Sequence, residues 1–217
     1  MVRGFLRLRS GFMDRPGGRG PGSVAVMDHV IRAIRTGEWA AVKRLRLEAL
    51  RDPLAHLAFL ETYENAAAKP DVFWQERTST AAEGAFQRQQ FIAERPDGEW
   101  DGSVTVMVEE AGTEDFLGHV VEHRQGHLVG VFVRPEQRGS GLTGALFDAA
   151  VDWCWKTGLH RVRLFVHEHN VRAEAFYRKA GFVPTGVTGA VPGDSGHQER
   201  EMVLRRPAEP AQVHRAL

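Results

Sequence analysis

The run Val131-Phe132-Val133-Arg134-Pro135-Glu136-Gln137-Arg138-Gly139-Ser140-Gly141-Leu142-Thr143-Gly144 joins a buried-looking apolar segment to an amphipathic one through a glycine-rich turn. Glycines let a backbone bend and let a ligand approach with no Cβ in the way, and the first N–H groups of a helix point outward carrying roughly half a positive charge. Arg138 adds a full charge to that end. Such a turn is built to meet an anion, a phosphate above all. A second marked run, Val166-His167-Glu168-His169-Asn170, leads into Val171 to Phe182, where Tyr177 carries a phenol that can exchange a proton.

Two other phosphate motifs compete for the glycines. Gly139-x-Gly141-x-x-Gly144 has the spacing of a dinucleotide fingerprint, but there the first glycine sits at the strand's end. Here Arg134 to Arg138 separate Val133 from Gly139, too little chain follows for the βα units required, and the acidic ribose partner is missing. A P-loop is excluded because no Lys-Ser or Lys-Thr pair follows the glycines.

The elements that must position these residues can be read from periodicity. His29 to Arg35 alternates as a strand, and Glu38 to Arg51 carries Trp39, Val42, Leu45 and Leu50 near helical spacing. Asp52-Pro53 breaks that helix; Leu54 to Ala68 restarts one, and Asp71 to Thr80 is a third. Strand patterns at Ala85 to Glu94, Ser103 to Glu109 and Phe116 to Glu122, split by Pro96-Asp97-Gly98 and Ala111-Gly112, predict an antiparallel meander. The second half then alternates: strand Leu128 to Val133, helix Leu142 to Thr157, strand Val162 to His167, helix Val171 to Ala180, and strands near Phe182 and at Glu201 to Leu204. Asn170 suits an N-cap, Ala173, Phe176, Tyr177 and Ala180 form an apolar stripe, and Gly181 suits a left-handed cap. On periodicity alone Tyr177 is a core aromatic.

Composition bounds the rest. The chain has 217 residues, 42% of them apolar, enough for one domain with a sizeable core. Lys plus Arg and Asp plus Glu are each 28, so no basic excess is available to hold nucleic acid. The single cysteine, Cys154, lies in a helix interior and fits a reducing, cytoplasmic setting. No run approaches the roughly 20 apolar residues of a membrane span, and no export signal is evident. Residues 1–26, rich in arginine and glycine, read as a disordered tail, 27–207 as the domain and 208–217 as a flexible tail. Met13 and Met27 both precede the first periodic segment, so the natural start is expected at one of them.

Arg138-Gly139-Ser140-Gly141-Leu142 resembles the coenzyme-A signature Q/R-x-x-G-x-G/A of the GNAT N-acetyltransferase superfamily, with Thr143 standing where Gly or Ala is usual and Gly144 beside it. Asn170-x-x-Ala173-x-x-Phe176-Tyr177-x-x-x-Gly181-Phe182 resembles the family's second motif. The resemblance covers about residues 29 to 205. It implies an α/β (α+β) fold with a mixed, mostly antiparallel sheet of about six or seven strands, flanked by about four helices and splayed at the coenzyme site. It implies acetyl-CoA as cosubstrate and an amine acceptor as partner, with a homodimer among the expected assemblies. The implied contacts to acetyl-CoA are Val131, Phe132 and Val133 through their backbone, the loop Arg138, Gly139, Ser140, Gly141, Leu142, Thr143 and Gly144, and Asn170, Ala173 and Phe176. Tyr177 occupies the position of the acid that protonates the departing thiolate.

An amine acceptor is mostly protonated at neutral pH, so a base or water relay must collect a proton. Many relatives offer a glutamate near the start of the strand before the glycine loop; this chain reads Gln125-Gly126-His127-Leu128, making His127 the nearest titratable substitute and Glu122 an alternative. His119, His123 and His127 are spaced by four but lie in strand and turn, so no metal is expected. Asp52, Glu61, Glu64 and Asp71 are acids that could attract a cationic acceptor. A noncatalytic acyl-CoA-binding module is the alternative reading, and a nicotinamide oxidoreductase a distant third.

Overall fold

The computed structural model describes residues 29–191 and 194–207. The tail readings for 1–26 and 208–217 and the start at Met13 or Met27 lie outside the described residues. In chain order the elements are β1 (Val30–Ala33), α1 (Trp39–Ala49), α2 (Tyr63–Ala67), α3 (Asp71–Ser79), β2 (Arg88–Glu94), β3 (Trp100–Glu109), β4 (Gln125–Val133), α4 (Leu142–Lys156), β5 (Arg161–His167), α5 (Val171–Lys179), β6 (Val183–Val191) and β7 (Asp194–Arg205). The strands form one seven-stranded sheet in the order β1-β2-β3-β4-β5-β7-β6. Every neighbouring pair is antiparallel except β4 and β5, which run parallel.

Each face of the sheet buries a helix stripe. Leu142, Leu146, Phe147, Ala150 and Cys154 of α4 pack with Val104, Val106, Leu128, Val162 and Leu164 on one face. Val42, Leu45 and Ala49 of α1 and Trp74 of α3 pack with Ile92, Trp100 and Phe132 on the other. The alternation of strand side chains makes this possible: Phe91 and Ala93 face α4 while Ile92 between them faces α1.

Two sequence expectations are corrected. The helix expected over Leu54 to Ala68 is split into a 3₁₀ turn at Ala55–Leu57 and the short α2, because Thr62 starts a new helix by accepting from the Asn65 N–H at 3.2 Å. The strand expected over Phe116 to Glu122 is a loop with one isolated bridge, Glu114 to Val120. The Asp115 carboxylate accepts from the Leu117 and His119 N–H groups, each at 2.9 Å, and Gly118 closes the turn at φ 79°. This segment packs against the sheet: Val121 is buried, Phe116 lies over His127 and Phe165 while keeping part of its ring exposed, and Leu117 packs on Gly189.

The parallel pair is the feature that positions the site. Only Gly126–Val162 and His127–Arg163 are paired between β4 and β5. Beyond them β4 carries one extra residue against β3, since Thr105 pairs with Val129 and Ser103 with Phe132. Gly130 absorbs this bulge at φ 64°, a backbone angle that costs an ordinary residue about 1–2 kcal/mol. From that point the two strands diverge, and the β5-facing edge of β4 is left without a ladder partner.

Candidate active site

A cleft of about 340 Å³ fills the divergence. From β4 it is lined by Val131, Phe132 and Val133, from the glycine loop by Arg138, Gly139 and Thr143, and from the start and inner face of α5 by Asn170, Ala173, Phe176 and Tyr177. The connection after α1 closes it with Asp52, Leu54, Ala55, Ala58 and Phe59. Most of the residues expected to hold acetyl-CoA are therefore brought to one cleft. Ser140, Gly141, Leu142 and Gly144 shape the loop without lining it.

Gly139 and Gly141 sit at φ 86° and 94°, and a Cβ at either would meet nothing within 4 Å. The backbone angle, and an open approach to it, is what asks for glycine there. Gly141 precedes the first turn of α4, whose N–H groups have no partner within the helix and carry its positive end. Ser140 steadies the loop by donating to the Gln137 carbonyl at 2.7 Å and accepting from the Leu142 N–H. Leu142 turns into the core beneath. These features suit an anionic group at the loop and an extended arm along the unpaired edge of β4.

Arg138 is already engaged on both sides: its Nε donates to the Val133 carbonyl and its Nη2 pairs with Asp52. Asn170 is similarly committed, its Oδ1 capping α5 at the Ala173 N–H and its Nδ2 donating to the Leu57 carbonyl at 3.2 Å. Both tie the α1–α2 connection to the cleft's opposite wall. The acids expected to attract an acceptor are largely spent, since Asp52 pairs with Arg138, Asp71 with Lys43 and Glu61 with Arg46.

Tyr177 is buried, stacked on Phe147 at 5.5 Å and bordered by Phe176 and Phe182. It is therefore a core aromatic and a lining residue at once. Burial, with the Glu199 carboxylate adding to it, pushes its phenol well above the ordinary value and holds it protonated.

His127 and Glu122 are not brought to the cleft. Glu122 is exposed on the loop before β4. His127 is buried under Phe116, and its Nδ1 lies 2.9 Å from Glu109 Oε1. Glu109 also takes two bonds from Arg163, which reaches Asp115 and Glu201 as well. Burial alone would raise the Glu109 carboxyl, but His127 and Arg163 outweigh it and bring it down to about 2.

A second titratable group lies at the far end of β5, and sequence reading passed over it. The rings of His167, His169 and His197 stand 5.1 to 5.5 Å apart by centroid. His167 pairs across the sheet with Glu199 of β7. Burial and the neighbouring imidazoles lower the His167 pKa, and burial pushes the Glu199 carboxyl up to about 7. The run His167-x-His169-Asn170 was a visible local signal; Glu199 and His197 come from a distant strand and had none.

The comparisons with known proteins agree with this geometry. Residues 59–182, more than half of the chain, match the profile described as the Acetyltransferase (GNAT) family. The chain belongs to that family. Over 92 residues it is 34% identical to a mycothiol acetyltransferase of Beutenbergia cavernae, a match covering 41% of this chain and only 31% of that relative. Over 130 residues it is 29% identical to an aminoglycoside N(6')-acetyltransferase of Stenotrophomonas maltophilia, covering 60% of this chain and 71% of the relative. In fold it is similar to a GNAT phosphinothricin acetyltransferase of Sinorhizobium meliloti solved with AcCoA, at a TM-score of 0.62 and 16% identity, covering 86% of this chain and 95% of that one. The open seven-stranded mixed sheet with five flanking helices is this family's fold.

Proposed function

We propose that this chain transfers the acetyl group of acetyl-CoA to a primary amine by direct attack within a ternary complex, with Tyr177 as general acid. The observation that carries the reading is the cleft between β4 and β5, which runs from a helix N-terminus behind Gly139 and Gly141 to a protonated phenol at Tyr177. The glycine loop and the first turn of α4 would hold the pyrophosphate, and the unpaired edge of Val131 to Val133 the pantetheine arm. A backbone N–H on that edge would polarise the thioester carbonyl. Arg138 would have to exchange Asp52 for phosphate, a charge-for-charge replacement that keeps its guanidinium paired. Tyr177, kept protonated by burial, would supply the proton for the departing sulfur. The relatives carry acceptors as different as mycothiol and aminoglycosides in their names, so membership of the family supports the donor and leaves the amine open.

The test is thiol release from acetyl-CoA against spermidine, kanamycin, lysine and a peptide with a free N-terminus. With the amine that turns over fastest, Tyr177→Phe should lower kcat by about 100-fold or more while the KM for acetyl-CoA changes little. A Tyr177→Phe enzyme with wild-type kcat would remove the phenol from the mechanism.

A further inference from the structure

The acceptor's proton needs a destination, and the groups named from sequence do not provide it. His127 is sealed behind Phe116 and held by Glu109, and Asp52, Glu61 and Asp71 each already face a cation. At the open end of β5 a different set converges. Glu199 is paired in register with His167, and the rings of His169 and His197 stand within 5.5 Å of the His167 ring. We propose that the Glu199 carboxylate, with His167, His169 and His197 around it, takes the proton from the acceptor ammonium. The inference rests on the acetyltransferase reading and names its base and the kind of acceptor it selects, an alkylammonium cation.

Glu199 is half-buried, and its register partner across the sheet is the imidazole of His167 rather than a guanidinium or an ammonium. The nearest basic residue along β7, Arg200, alternates to the other face, where Glu168 at 3.9 Å and Glu174 at 3.4 Å hold it. The titratable groups facing the His167–Glu199 pair are His169 and Glu168 of the turn after β5, His197 and His56, which act on His167, Tyr177 of α5, which feels Glu199, and Glu201 two residues along β7. Glu201 is turned to Arg163, Arg161 and Thr185. A carboxylate left with imidazoles and a phenol invites a cation that arrives from solution.

Glu199 is close enough to Tyr177, which lines the cleft, for its charge to help keep that phenol protonated, so a carboxylate stands near the acid. Burial places its titration at about 7, where a base is both ionised and able to accept. His167 is buried and holds its Nδ1 against the His169 N–H at 3.1 Å, whereas His169 is exposed, so the imidazoles lead from the carboxylate to water.

The proton count closes. Glu199 takes one proton from R–NH₃⁺, and the freed lone pair bonds to the thioester carbonyl carbon as the carbon–sulfur bond breaks. The thiolate takes the Tyr177 proton. The second proton that the nitrogen sheds restores Tyr177, and the net proton leaves Glu199 for water by way of the histidines.

The experiment is the pH profile of kcat/KM for the fastest panel amine, at saturating acetyl-CoA, in wild type, Glu199→Gln and His127→Gln. Calorimetric titration with acetyl-CoA checks that each variant is folded and binds the donor. Wild type should gain activity as pH rises through about 7. Glu199→Gln should lose about 100-fold at neutral pH and recover towards wild type above about pH 9, where the amine increasingly sheds its own proton. His127→Gln should keep the wild-type limb. A Glu199→Gln enzyme with wild-type rate and profile overturns the inference while leaving the transferase reading intact. Wild type that releases no thiol with any amine overturns both.

Discussion

Arg163 carries a full positive charge into the interior at 5% side-chain exposure, where Glu109, Asp115 and Glu201 meet it. Removing the cation would leave Glu109 with His127, Glu201 with Arg161 and Asp115 with backbone N–H groups, three buried acids short of one shared charge, so Arg163→Met should destabilise the fold by about 3–5 kcal/mol in urea titration. Glu109 titrates at about 2 in the fold and near 4.3 when unfolded. Its contribution to stability is therefore present above about pH 4 and lost as pH falls towards 2, and Glu109→Gln should flatten that part of a Tm-against-pH curve. Glu199 has the opposite sign: its carboxyl is raised, so its stabilising effect lies at low pH and is lost as pH rises through about 7. Glu199→Gln should accordingly raise Tm at about pH 8 and leave it little changed near pH 4. A variant that gains stability as it loses activity marks a residue kept for chemistry; a lower Tm at pH 8 would mark it as structural. At this scale the sequence revealed residues that sit inside motifs, among them Gly139, Gly141, Asn170 and Tyr177. It did not reveal those whose meaning comes from partners across the sheet, such as Glu109 and Glu199, nor that His127 would be consumed by such a partnership.

Between β4 and α4 the contact is nearly backbone to side chain. A Cβ on Gly126 would come within 2.7 Å of Cys154 Sγ and 3.3 Å of Val106 Cγ1. Burial also pushes the Cys154 thiol up to about 12, which leaves this sulfur unreactive and makes its role one of packing. Gly126→Ala should therefore destabilise by about 1–3 kcal/mol, and Cys154→Ala should offset part of that loss in the double variant. Strictly additive effects in that cycle would show that the glycine answers to something other than the sulfur. Helix and strand patterns with ten or so residues were legible because their apolar stripes repeat. The segment 116–122 was misread as a strand because Val120, Val121 and the apolar pair Phe116-Leu117 look alike in one dimension. Asp115 and Gly118 were the turn signals that outweighed them. The bulge at Gly130 was equally hidden, since a glycine within an apolar strand reads as a weak strand position until its φ is known.

Across the whole molecule, the cleft is assembled from pieces that do not touch in sequence: the connection after α1, the end of β4 with the glycine loop and the start of α4, and α5. Arg138 to Asp52 and Asn170 to Leu57 hold the first of these against the others. Among the described residues no helix is long and apolar enough to cross a membrane. The order of elements and the two motifs made the family readable, because those depend on local pattern. The acceptor is not readable in the same way, since the connection after α1 that closes the cleft carries no motif. The most direct measurement is calorimetric titration of the protein with acetyl-CoA, with NADH as control. The account predicts saturable binding of acetyl-CoA at a single site and none of NADH. Absence of acetyl-CoA binding, or binding of NADH in its place, would contradict it.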